Sequence, residues 1–166
     1  MDIDQELLDR AKQEVSDVTF FQGNITQQPC HDTYDVLFIN GVHSIFDNFQ
    51  WLENMLASRA SDASRVFVFG LFNPEYLDVL LKSRPAASEG KWENGWNLYS
   101  KKSVLTFLQE RGFSGQFYDF ELSLDLEKKP DDPLRTWTER LEDGRRIIIN
   151  GLQLVNTLSL LEISKS

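Results

Sequence analysis

Two short apolar runs, Val36 to Ile39 and Arg65 to Phe72 (RVFVFGLF), are separated by a stretch in which Phe49, Leu52, Met55 and Leu56 recur at helical spacing. Unbroken apolar runs of this length suit strands buried on both faces, and a helix between two of them is the crossover that parallel strands require. The first run stops at Asn40-Gly41, a pair that breaks an extended chain. In an open α/β sheet, ligands sit beyond the carboxyl ends of the strands, which puts Asn40, Gly41, Val42 and His43 on the rim of such a crevice. A plain exit from strand to loop accounts for the same residues, so both readings stand at this point.

The rest of the chain extends the pattern. Asp4 is a good N-cap for a helix with Leu7, Leu8, Ala11 and Val15 on one face. Val18 to Phe21 reads as a strand ending at Gly23-Asn24, and Asp47 or Asn48 as the cap of the helix that follows Asn40. After Asn73 the spacing predicts a short helix (PEYLDVLLKS), then a loop, RPAASEGKWENGWNLYS, carrying Trp92, Trp96 and Tyr99. A loop of that length is either a binding lid or a flap stapled to the core by its rings. Ser100 caps a further helix that buries Val104, Leu105, Phe107 and Leu108 and closes at Gly112. Gln116 to Leu124 then forms a strand, Asp143-Gly144 turns a hairpin between Thr136–Leu141 and Arg145–Asn150, and Leu152 to Ile163 holds the closing strand. Turn chemistry therefore predicts an antiparallel end on a parallel sheet.

Composition narrows the function classes. The 166 residues carry 26 acidic and 17 basic side chains, for a net charge of −9. That charge repels nucleic acid and anionic membrane surfaces, so neither is an expected partner. No apolar run is long enough to cross a bilayer and the acidic start lacks a signal core, so the expected location is cytoplasmic. One cysteine, Cys30, and two histidines, His31 and His43, give no internal disulfide and no usual zinc set. The whole of 1–166 reads as a single domain.

In order, these pieces resemble a class I S-adenosylmethionine-dependent methyltransferase, similar to the small-molecule enzymes that include trans-aconitate methyltransferase. MDIDQELLDRAK resembles the end of the family's second strand and its helix, VTFFQGNI the third strand and exit, YDVLFINGVHSIFD the fourth strand, and RVFVFGLF the fifth. The resemblance implies a Rossmann-like sheet, mostly parallel with an antiparallel C-terminal end. It also implies that the first strand, first helix, glycine-rich loop and most of the second strand are missing. S-adenosylmethionine is the implied cofactor, with Asp2 and Ile3 at its ribose, Asn24 and Ile25 at its adenine, and Asn40, Gly41 and Val42 walling the methyl-donor pocket. Asn24 stands where the family has an aspartate, and its amide oxygen would accept from the adenine amine. Trp92, Trp96 and Tyr99 fall where such enzymes bind a small-molecule acceptor.

His43 is the one plausible general base near that pocket, its alternative being a histidine hydrogen-bonded at a helix approach. Without a neighbour, the strand at Val36–Ile39 has an open edge, which predicts either a homodimer paired through that edge or a sheet rearranged to bring Val18–Phe21 beside it. The other function class considered is a non-catalytic methyltransferase-like domain that acts through protein association and binds cofactor weakly or not at all. A dehydrogenase is disfavoured because G-x-G-x-x-G is absent.

Overall fold

The computed structural model describes residues 1–86 and 90–166. Helix α1 (Gln5–Glu14) is followed by strand β1 (Val36–Asn40), a 3-10 turn (His43–Ile45), helix α2 (Gln50–Ala57) and strand β2 (Arg65–Asn73). Three two-residue strands come next, β3 (Lys82–Ser83), β4 (Glu93–Asn94) and β5 (Tyr99–Ser100), leading into helix α3 (Lys101–Gln109). The chain ends with β6 (Phe113–Phe120), the hairpin β7 (Trp137–Arg140) and β8 (Arg146–Ile149), and β9 (Leu158–Lys165).

The main sheet has the order β1-β2-β9-β6, with β5 pairing the end of β2. β1 and β5 run parallel to β2, while β9 is antiparallel to both β2 and β6. The sheet is thus evenly mixed and not mostly parallel, because the late strand β9 inserts between β2 and β6. One row across it, Ile39, Val68, Leu161 and Phe117, faces the helices. Against that face α2 packs Trp51, Leu52, Met55 and Leu56, and α3 packs Val104 and Leu108, giving one continuous core.

The opposite face is only partly covered. Val36 and Phe38 are 61% and 62% exposed, and Tyr118 and Phe120 are also exposed. Phe38 stacks on Phe67, and Phe69 meets Phe120 edge-on, so these rings partly shield one another. α1 does not cover them: Asp4 caps it as expected through Glu6 N and Leu7 N, yet of its apolar face only Leu8 is buried. Leu7 and Val15 remain exposed.

Other expectations are corrected. Val18–Phe21 forms no strand; the only pairing nearby is a single parallel bridge between Asp2 and Gln22, just past the segment. Nothing pairs it with β1, so the rearranged sheet is not what the chain adopts. The segment after Asn73 is not helical, because its apolar residues Tyr76, Leu77 and Leu80 find no surface to bury against and stay exposed. Asn73 instead closes a turn, accepting from Glu75 N and donating to Leu77 O. Asp78 is then diverted to the start of α3, where its carboxylate accepts from Ser100 N at 2.6 Å and from Ser103 Oγ at 2.8 Å. α2 has Phe49 as an N-cap that makes no side-chain bond, although Asn48 Oδ1 accepts from Gln50 N. Ser100 caps α3 and Gly112 follows it at φ 73°, both as expected, but Leu105 stays partly exposed. Part of the predicted loop, residues 87–89, lies outside the described residues. No helix among the described residues is long and apolar enough to cross a membrane.

Candidate functional site

Two cavities open beyond the carboxyl ends of β1 and β2, one on each side of the 3-10 turn. The turn exists because Gly41, at φ 71°, swings the chain out of β1 while its N–H still donates to Phe69 O at 2.8 Å. The first cavity, about 480 Å³, lies between the Asp2–Gln22 pair and β1. Asp2, Ile3, Asn24 and Ile25, expected near a nucleoside, line it together with Val42, expected at the methyl-donor pocket. Ile45, Phe46 and Met55 also line it and were not anticipated, because only folding brings α2 against the end of β1.

Asn40, exposed at the end of β1, lines neither cavity, and Gly41 belongs to the second. Asn24 Oδ1 already accepts from Thr26 N at 3.0 Å and from Thr26 Oγ1 at 2.7 Å. Those two bonds occupy both lone pairs of the oxygen. An adenine amine could therefore reach that oxygen only by displacing Thr26, and the amide group left to meet a ligand is Nδ2. Asp2 has one carboxylate oxygen bonded to Asp4 N at 3.0 Å, which leaves its other oxygen for a hydroxyl.

The second cavity, about 620 Å³, is roofed by the segment after β4 and by the β7–β8 hairpin. Asn97, fully buried, is the hub of that roof. Its N–H donates to Ser44 O at 2.7 Å, its Nδ2 to Phe46 O at 2.9 Å and Asp47 Oδ1 at 3.1 Å, and its Oδ1 accepts from Leu81 N at 2.8 Å. The hairpin is held from outside by Asp125, which accepts from Arg140 at 2.8 Å and Arg146 at 2.7 Å; these two bonds lower its pKa. Gly151 N donates to Pro133 O at 2.7 Å, and a Cβ at 151 would lie 2.5 Å from that oxygen. Only glycine allows this approach, which sets Leu134 into the cavity wall.

The three ring residues expected at an acceptor separate. Trp96, at φ 64°, lines the second cavity. Trp92 is exposed and lies under the Arg84 guanidinium. Tyr99 is buried, packs on Phe49 and donates its hydroxyl to Phe46 O at 2.9 Å. Burial, with the nearby Asp47 and Asp78 carboxylates, pushes its pKa up to about 12, so it is a structural phenol and not an acid or base near neutrality.

His43 opens onto neither cavity. It is fully buried, stacked on Phe72 at 4.6 Å between ring centroids, with Nε2 donating to Leu71 O at 2.9 Å and Nδ1 without a partner among the described residues. Burial lowers its pKa. The geometry matches the hydrogen-bonded histidine at a helix approach, and no acceptor could meet its free nitrogen without the core opening. No group of three or more His, Cys, Asp or Glu among the described residues could hold a metal.

No protein-family model matches the sequence, and no curated protein does either. Solved structures do match. The DhpI–SAH complex superposes at a TM-score of 0.60 with 11% identity, covering 99% of this chain and 63% of DhpI. The glycopeptide N-methyltransferase MtfA, complexed with S-adenosyl-L-methionine, gives 0.56 and 10%, covering 99% of this chain and 70% of MtfA. Magnesium protoporphyrin IX methyltransferase (ChlM) from Synechocystis PCC 6803, with bound SAH, gives 0.52 and 11%, covering 99% and 62%. This chain has the class I S-adenosylmethionine-dependent methyltransferase fold. It spans about three fifths of the length of DhpI and of ChlM. At these identities the likeness concerns the fold.

Proposed function

We propose that the protein takes part in methyl transfer from S-adenosylmethionine to a small-molecule acceptor, with the cofactor's nucleoside in the first cavity and the acceptor in the second. The observation that carries this reading is the convergence of Asp2, Ile3, Asn24, Ile25 and Val42, from three separate segments, on one cavity at the carboxyl end of β1. Open α/β sheets bind nucleotides at that place. The residues fit the nucleoside half: the Asp2 carboxylate has an oxygen to accept from ribose hydroxyls, and Ile3, Ile25 and Val42 supply apolar contact for a purine. For the amino-acid half the described residues offer no glycine-rich backbone cradle. The cofactor supplies an activated sulfonium methyl, so displacement needs alignment more than a general base. The chain's part is positional: the wall formed by Gly41 to Phe46 separates the cavities, and Trp96 bounds the acceptor side.

Calorimetric titration of the 166-residue chain with SAH tests this reading, with a dissociation constant in the micromolar range expected. Asp2→Ala should weaken that binding about tenfold, the loss of a charged hydrogen bond of about 1.5 kcal/mol. No heat at millimolar SAH, or unchanged affinity in the variant, would count against the site.

A second reading, that the chain acts through protein association, is favoured by one feature. Among the described residues no strand pairs with the outer side of β1, and Val36 and Phe38 beside that edge are exposed. Unpaired strand edges with apolar flanks associate. Light scattering should then report a homodimer that Phe38→Lys converts to a monomer; a wild-type chain that stays monomeric at high concentration removes this reading.

A further inference from the structure

Asn24 is half-buried and lines the first cavity beside Thr26. Its Oδ1 accepts from Thr26 N at 3.0 Å and from Thr26 Oγ1 at 2.7 Å. A backbone N–H can only donate, so the bond from Thr26 N fixes which end of the amide is oxygen. Turning the group over would set Nδ2 against a second donor. Nδ2 is therefore the free end of the side chain. It donates to nothing among the described residues, and unlike the Nδ2 atoms of Asn150 and Asn156 it is not sealed from solvent.

The surrounding turn holds this arrangement in place. Asn24 O accepts from Gln27 N at 3.0 Å and Gln28 N at 3.2 Å, and Asn54 Nδ2 donates to Ile25 O at 2.7 Å, tying the turn to α2. An aspartate anchored by the same two bonds from Thr26 would turn its second oxygen to the ligand, an acceptor for an exocyclic amine. The asparagine turns a donor there instead. The two side chains have nearly one shape and read opposite groups on a purine.

We infer that Asn24 donates from Nδ2 to an acceptor on the purine and makes the first cavity indifferent to the exocyclic amine of adenine, so that a hypoxanthine nucleoside binds there at least as tightly as an adenine one. Adenine answers the donor with a ring nitrogen, hypoxanthine with its carbonyl oxygen. The inference rests on reading this cavity as the nucleoside site.

SAH and S-inosylhomocysteine, which differ only in the base, test it by calorimetric titration of the full chain. The inosyl compound should bind within about threefold of SAH, or tighter. In Asn24→Asp the preference should turn over to favour SAH by about tenfold or more, since the carboxylate accepts from the amine and confronts the hypoxanthine carbonyl with a second acceptor. Asn24→Ala should weaken both ligands by about three- to tenfold and leave their ratio unchanged, the loss of one neutral hydrogen bond to each. The wild-type ratio stands whether or not a variant folds, which circular dichroism reports.

A wild-type preference for SAH above about threefold, or a ratio that a folded Asn24→Asp leaves unmoved, would overturn the inference while the nucleoside site survives. Binding of neither compound removes the nucleoside site and the inference together.

Discussion

Gly70→Ala should lower the unfolding free energy by about 3 kcal/mol, measured as a shift in the denaturant midpoint at constant slope. Two causes add. Gly70 sits in β2 at φ 153°, outside the range that a residue with a Cβ adopts easily. A Cβ there would also run into the His43 ring, which cannot retreat because it is stacked on Phe72 and tied through Nε2 to Leu71 O. The double variant Gly70→Ala/His43→Ala should therefore be less unstable than the sum of the singles, since removing the ring relieves the clash but not the backbone strain. Additive effects, or a loss below about 1 kcal/mol for Gly70→Ala, would show that β2 yields locally.

The same packing has a pH signature. His43 has its pKa held below 6.5 by burial, so the unfolded chain takes up a proton that the native chain refuses. Stability from this residue is full above 6.5 and is lost as pH falls below it. The sign follows from linkage: where the unfolded state binds more protons, stability rises with pH.

Leu161→Ala should cost about 2–5 kcal/mol, the range for emptying a fully buried leucine site. Leu161 is at the middle of β9, in register with Val68 on one side and Phe117 on the other, and has no exposed surface. The void would be slow to close, because Leu161 Cδ1 also lies over Gly115, where Leu105 and Leu108 already leave no room for a Cβ. Leu161→Met, close in volume, should cost less than about 1.5 kcal/mol. Thermal and denaturant unfolding of the pair would check both. If the alanine variant were as stable as the methionine one, β9 would not be the keystone that its central place in the sheet implies.

The strands β1 and β2, the helix between them and the β7–β8 hairpin were legible in the sequence because each is written in short-range signals: apolar runs, a cap, an Asp-Gly turn. Gly144 at φ 85° is where that dipeptide required it. The failures share a cause. Val18–Phe21 has strand-forming residues but is paired with no strand, the one bridge nearby being at Gln22, and PEYLDVLLKS has helical spacing but leaves its apolar Tyr76, Leu77 and Leu80 exposed. Propensity proposes an element; a neighbour has to accept it.

The candidate site divides in the same way. Local signals located the strand exit at Asn40-Gly41 and marked Trp96, while the family resemblance marked Asp2 and Asn24, and the folded chain puts Asp2 and Asn24 on one cavity and Trp96 on the other. Spacing could not tell that His43 would be buried and Tyr99 tied to Phe46 O.

The sequence by itself determined the order of the elements, the Gly41 break after β1 and the hairpin, because these depend on residues a few positions apart. Tertiary structure alone decided that β9 inserts beside β2, that one sheet face is only partly covered, and which side chains meet across the two cavities. Those outcomes depend on contacts between residues far apart in the chain, whose energies exist only once the segments have come together.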